Sequence, residues 1–220
     1  MDMRPGKGIT AAQSDEHQRN WSERGWDHAT KNGNYDRSRE HLNFEVVKGG
    51  IIRPVDKSRT ITGRMADNLR ERGIEDPNAK LAEPKFRTAE NIIFGGSRER
   101  MHELAFGGQR IDLAHGADNS HVRRHKDIEE WAKDMYTFAC GQWGEENVIG
   151  FVVHLDEMNP HVHCTVLPVK DGRFKYKELF GGANKYEYKA NITRLHDELA
   201  KVNEKWGLFR GKSIAGTGAR

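Results

Sequence analysis

Two apolar runs, Val148-Ile149-Gly150-Phe151-Val152-Val153-His154 and His161-Val162-His163-Cys164-Thr165-Val166-Leu167, are joined by a six-residue connection containing Pro160. Runs of this length read as buried strands, and so short a link makes antiparallel pairing the simplest arrangement, because a parallel crossover needs about a dozen residues or more. On a strand, residues two apart share a face, so His161 and His163 project together while Val162 and Cys164 point into the core. His154 ends the neighbouring run and comes into register with that pair. One histidine placed this way would read as an ordinary polar residue on a wet face. Three on a hairpin whose other face is apolar read as a facial ligand set with positions left for water or substrate, which is a catalytic rather than a closed structural metal site.

Cys140 and Cys164 are the only cysteines, too few for a disulfide scaffold or a thiolate zinc site, so His154, His161 and His163 must hold any metal with the help of carboxylates. Asp156 and Glu157 lie in the connection, where either would act as a general base or hold a ligand imidazole from behind, the bland reading being a solvated turn. Imidazole ligands suit Zn, Ni or Co, whereas phosphate chemistry with water or carboxylate help favours Mn or Mg. The expected cofactor is a divalent ion, Mn or Mg first.

Around the hairpin, the sequence predicts a polar helix from Thr10 to about Arg24 and a strand pair, 41–47 and 51–53, across Gly49-Gly50. A helix over about 57–72, a strand over 88–94, an irregular glycine-containing insertion over 95–119 with a short helical piece, and a short strand over 173–177 are also expected. Ser120–Gln142 and 184–206 carry apolar residues at three- and four-residue spacing and are read as long helices. Strands mixed with long helices in this order predict an α+β fold, an antiparallel-rich sheet with helices on one face, in one domain over 1–210 followed by a flexible tail or linker over 211–220.

His154-Leu155-Asp156-Glu157 followed by Pro160-His161-Val162-His163 resembles the third motif of the MobV (Mob/Pre) plasmid mobilisation relaxases, members of the HUH endonuclease superfamily. Asp15-Glu16-His17-Gln18-Arg19-Asn20 resembles their first motif, and His41-Leu42-Asn43-Phe44-Glu45 part of the second. The resemblance implies an HUH-type sandwich in a cytoplasmic bacterial enzyme. It also implies metal-dependent nicking and rejoining of one DNA strand at an origin of transfer through a covalent 5′-phosphohistidine, initiating conjugative mobilisation. His17 takes the nucleophile's place, with Glu157 orienting it and Arg19 as a phosphate clamp. The family motif spaces its arginine three residues after the histidine, whereas Arg19 stands two after His17. His28, Tyr35 and His41 are the alternative nucleophiles.

The formal charge is only +3, so any case for DNA rests on distribution. Arg37, Arg39, Asn43, Arg123, Arg124 and Lys175 stand in clusters suited to phosphates or unpaired bases. Single-stranded or supercoiled origin DNA and the coupling machinery of conjugation are the expected partners, and no stretch approaches the length of a membrane span. Three rivals remain: a rolling-circle replication initiator with a tyrosine nucleophile such as Tyr35, a cupin-like metal oxidoreductase, and a sequence-specific DNA-binding module whose structural metal would need a fourth ligand that the sequence does not make evident. The two long helices weigh against the second.

Overall fold

The protein is described here by a computed structural model covering residues 1–31 and 33–211. All but the first residue of the expected 211–220 tail lies outside those residues.

The hairpin forms as its spacing requires. Strand β5 (Val148–His154) pairs antiparallel with β6 (His161–Val166), with His154 opposite His161 and Val152 opposite His163. They are the two central strands of a six-stranded, wholly antiparallel sheet in the order β1-β4-β6-β5-β2-β3, with β1 Asp2–Gly6, β2 Phe44–Val47, β3 Ile51–Pro54 and β4 Ala89–Phe94. A two-stranded ribbon, β7 (Val169–Lys170) and β8 (Arg173–Phe174), lies beyond β6. Strand β1 was not expected. Its Asp-Met-Arg-Pro-Gly sequence carries no alternating pattern, which is tolerable only because it is an edge strand where a proline removes no needed ladder donor.

One face of the sheet buries Phe44, Val46, Ile92, Phe94, Phe151, Val153, Val162 and Cys164 against α4 (Arg98–Phe106), α5 (Lys126–Trp143) and α6 (Lys185–Asn203). The second core sits on the opposite face, where Ile61, Met65 and Leu69 of α3 (Ile61–Glu71) pack with Ile149, Ala89 and Leu167. Helices therefore cover both faces rather than one. The α3 stripe shows why: its apolar residues recur at four-residue steps and need a second apolar surface, which the β-bulge at Val148/Gly150 supplies by turning Ile149 toward it. A single open sheet between helical layers also excludes the cupin-like reading, which requires a two-sheet roll.

The helix expected over Thr10–Arg24 is two. Thr10 caps α1 (Ala11–Gln18) in a reciprocal capping box with Gln13, the helix ends where Arg19 turns left-handed (φ 51°), and Ser22 caps α2 (Glu23–Thr30). Arg19 adopts this costly conformation for a non-glycine residue because its side chain is drawn onto Asp156 in the connection between β5 and β6.

Candidate metal centre and nucleophile

His154, His161 and His163 share one face of the central strands, and one ligand atom from each, with one from Glu157, all lie within 4.8 Å of one another. A six-coordinate ion with bonds of about 2.1 Å sets its ligands about 3.0 to 4.2 Å apart, so the four atoms need close by only a few tenths of an ångström. The hydrogen bonds fix which nitrogens are free. His154 Nε2 donates to the His17 carbonyl at 2.8 Å, leaving Nδ1 as a buried lone pair without a hydrogen-bond partner. His161 Nδ1 donates to the Asn159 carbonyl at 2.8 Å, leaving Nε2 facing His163 Nε2 at 2.8 Å. A carbonyl only accepts, so each outer nitrogen carries the proton and the inner one is the Lewis base. The orphaned lone pair and the two nitrogens set face to face fit a divalent cation.

Burial lowers the pKa of His154 and His163, reinforced by neighbouring positive groups, so both are neutral at physiological pH, as ligands must be. Glu157 stays ionised. Burial alone would raise its pKa, but the His154 ring, then the charges of His161 and Arg19, bring it down to about 2. Its Oε1 lies 3.4 Å from His154 Nδ1 and 3.8 Å from His161 Nε2, which places Glu157 among the groups that could hold an ion.

His17, on the last turn of α1, lies over this set with its ring centroid 4.3 Å from that of His163. It is 5% exposed and its Nδ1 has no hydrogen-bond partner. Burial, then the nearby His154 and Arg19, depress its pKa to about 3, so the ring is a free base throughout the physiological range. Of the alternatives, His28 and His41 are exposed and outside the cluster. Tyr35 is near: its backbone bridges to Glu157, its ring lies under the Arg19 guanidinium at 4.7 Å, and burial with the Glu157 and Glu16 charges raises its hydroxyl to about 12.

Several sequence expectations are corrected by burial. Asp156 is fully buried with both oxygens taken by Arg19, at 2.8 and 3.0 Å, so it is no proton acceptor; burial opposes its charge, but Arg19 holds its pKa low. Arg19, expected at a phosphate, is itself 1% exposed and also donates to Glu157 Oε1 at 2.5 Å. Asn43 accepts from the Leu155 N–H at 2.7 Å, and buried Arg39 bonds the Leu155 and Glu157 carbonyls instead of DNA. Arg37 forks onto Glu23, Arg124 bonds Glu129 and the Leu42 carbonyl, and Lys175 pairs with Asp171, so of the basic residues named for DNA, Arg123, bonded to its own loop carbonyls, is the one with no acidic partner among the described residues. A buried guanidinium and a DNA-facing one look alike in sequence, since both stand in polar stretches.

An antiparallel sheet with a histidine cradle on its central strands, roofed by a helix bearing a further histidine, has the fold of a relaxase domain. It superposes on the MobM relaxase domain (MOBV; Mob_Pre) in its Mn-bound crystal structure with pMV158 oriT DNA at a TM-score of 0.65, with 17% identity over 100% of this chain and 93% of that one. A second Mn-bound crystal structure of that domain with pMV158 oriT DNA, at pH 4.6, gives 0.64, with 17% identity over 100% of this chain and 94% of that one. The family model described as plasmid recombination enzyme (Mob_Pre) matches residues 109–216. Plasmid recombination enzyme type 1 of Staphylococcus aureus is 38% identical over 91 residues, 40% of this chain and 21% of the relative. Type 3 from the same species is 34% identical over 104 residues, covering 47% and 24%. The second half of the chain thus resembles the plasmid recombination (Mob_Pre) family, and the matched part spans between a fifth and a quarter of these relatives' length.

Proposed function

We propose that this chain is the DNA-nicking domain of a plasmid mobilisation relaxase, cutting and rejoining one strand of an origin of transfer through a covalent phosphohistidine on His17. The observation that carries the reading is the neutral, buried, unpartnered imidazole of His17 stacked on the three-histidine cradle. His154 Nδ1, His161 Nε2 and His163 Nε2, with Glu157, would hold a divalent ion, for which Mn is favoured by the Mn-bound MobM structures. Once bound, the ion supplies positive charge against the scissile phosphate and makes phosphorus more electrophilic.

The chain's residues do the rest. His17 brings a lone pair that needs no deprotonation. Its nitrogen forms a bond to phosphorus as the P–O3′ bond breaks; the departing 3′ oxygen gains a proton while the second ring nitrogen gives one up. The DNA 5′ end is then held as a phosphoramidate, whose energy-rich P–N bond lets a 3′ hydroxyl reverse the reaction. Arg19 and Asp156 keep His17 and Glu157 in place by pinning the end of α1 to the hairpin connection. The tyrosine alternative fares worse, because Tyr35 must shed a proton held to about pH 12 before it can attack. Among the described residues no helix is long and apolar enough to cross a membrane. The proposed partners are single-stranded or supercoiled origin DNA and the conjugation coupling machinery, and the proposed setting is the bacterial cytoplasm.

The test is incubation with single-stranded origin DNA and Mn, then peptide mapping of the covalent adduct. The expected result is an oligonucleotide on the peptide containing His17, lost in His17→Ala. An adduct on Tyr35 would overturn the assignment.

A further inference from the structure

The six-residue connection that joins two of the cradle's histidines is held from outside at four successive carbonyls. Between His154 and His161, Leu155 O accepts from Arg39 Nη1 at 2.6 Å and Asp156 O from the Asp36 N–H at 2.7 Å. Glu157 O accepts from Arg39 Nη2 at 3.2 Å, and Met158 O from His102 Nε2 at 3.0 Å. Two of the four bonds come from one guanidinium. Arg39 is 1% exposed, lies over the Phe106 ring at 5.4 Å, and donates its Nε to Asp36 Oδ2 at 2.7 Å. Asp36 in turn accepts from Asn119 Nδ2 at 2.8 Å, and Asn119, also 1% exposed, bonds both backbone groups of Asp112.

From this geometry we infer that Arg39 is the positioning residue of the metal centre: by gripping the carbonyls on either side of Asp156, it sets the distance between His154 and Glu157 and so the affinity for the cation. The inference rests on the metal reading of the cradle given above. A connection of six residues held only at its ends would let the Glu157 backbone drift. One planar, five-donor group bonded to Leu155, Glu157 and Asp36 removes that freedom, and lysine cannot replace it because a single ammonium does not span the three acceptors. The chain Asn119–Asp36–Arg39 carries the restraint on to the 112–118 loop, which with residues 33–39 and Met158 walls a crevice of about 360 Å³ beside the connection.

Mn(II) binding by the full chain, read from the loss of the free-ion electron paramagnetic resonance signal, tests this without any measure of nicking. Arg39→Lys is expected to weaken Mn(II) binding about tenfold or more, the usual effect of removing a partner that orients metal ligands, and Asn119→Ala to weaken it less but in the same direction. A core variant of matched stability, Phe138→Ala, is the control for general destabilisation and keeps wild-type affinity. Should Arg39→Lys not fold, Asn119→Ala decides the question. Wild-type affinity in Asn119→Ala and in a folded Arg39→Lys, or equal weakening in the control, would overturn the inference while leaving the metal reading intact. Failure of the wild-type chain to bind Mn(II) would remove both.

Discussion

Replacing Arg19 by methionine separates a structural arginine from a DNA-binding one. In the protein its guanidinium makes four hydrogen bonds: two to Asp156, one to Glu157 and one to the Glu16 carbonyl. Both Arg19 and Asp156 are essentially inaccessible, so the substitution leaves a carboxylate buried without its counter-charge. Breaking such a pair from one side typically costs about 3 to 5 kcal/mol, and in a chain of this size each kcal/mol lowers Tm by roughly 2 to 4 °C, giving a fall of about 6 to 20 °C. The loss is largest near neutral pH. Wild-type Asp156 has a depressed pKa and stays charged, whereas in the variant its pKa rises above the ordinary value and protonation relieves it, so the two stability curves converge as pH falls through that raised pKa. Adding Asp156→Asn should recover a good part of the deficit by removing the stranded charge. The assay is denaturant unfolding of the metal-free protein at several pH values. A loss below about 1 kcal/mol, the scale of an exposed ion pair, with unchanged stability at every pH, would refute the argument and return Arg19 to the DNA surface.

Three further outcomes are expected. His17 titrates at about 3 when folded against 6.5 when unfolded, so its contribution is complete above pH 6.5 and lost as pH falls toward 3; the metal-free protein should lose about 2 kcal/mol from this group alone by pH 5, measurable by chemical denaturation. His163→Ala should abolish the stabilisation that Mn(II) gives the wild type, about 2.7 kcal/mol at a hundredfold excess over Kd, as read by thermal shift. Phe94→Ala, at a fully buried ring packed on Phe138 and Phe151, should cost about 3 to 5 kcal/mol in urea unfolding, with no change in the slope.

The hairpin was legible because its signals are local: a period of two places His161 and His163 together, and a six-residue link dictates the register that sets His154 beside them. The long helices were legible for the same reason, as at α5, where Ile128, Trp131, Ala132, Met135 and Ala139 recur at helical spacing and are buried. What stayed hidden depends on contacts between distant segments. Nothing in Asp36-Arg37-Ser38-Arg39 distinguishes the arginine that enters the core from the one that forks onto Glu23 at the surface. Glu45 looks like a strand's wet-face residue yet is completely buried between Arg53 and Arg64. The break at Arg19 follows from a partner 137 residues away, which no propensity reports. The clustering of the three histidines was thus readable from pattern, while the burial of Arg19 and Arg39 beside them was not.

Anomalous diffraction at the manganese edge, from crystals grown with Mn(II), tests the central claim most directly. The account predicts one strong peak bonded to His154 Nδ1, His161 Nε2 and His163 Nε2 at about 2.1 to 2.3 Å, with His17 beside it and free to attack. No peak there, or a peak bound through His154 Nε2 with the His17 carbonyl displaced, would contradict it.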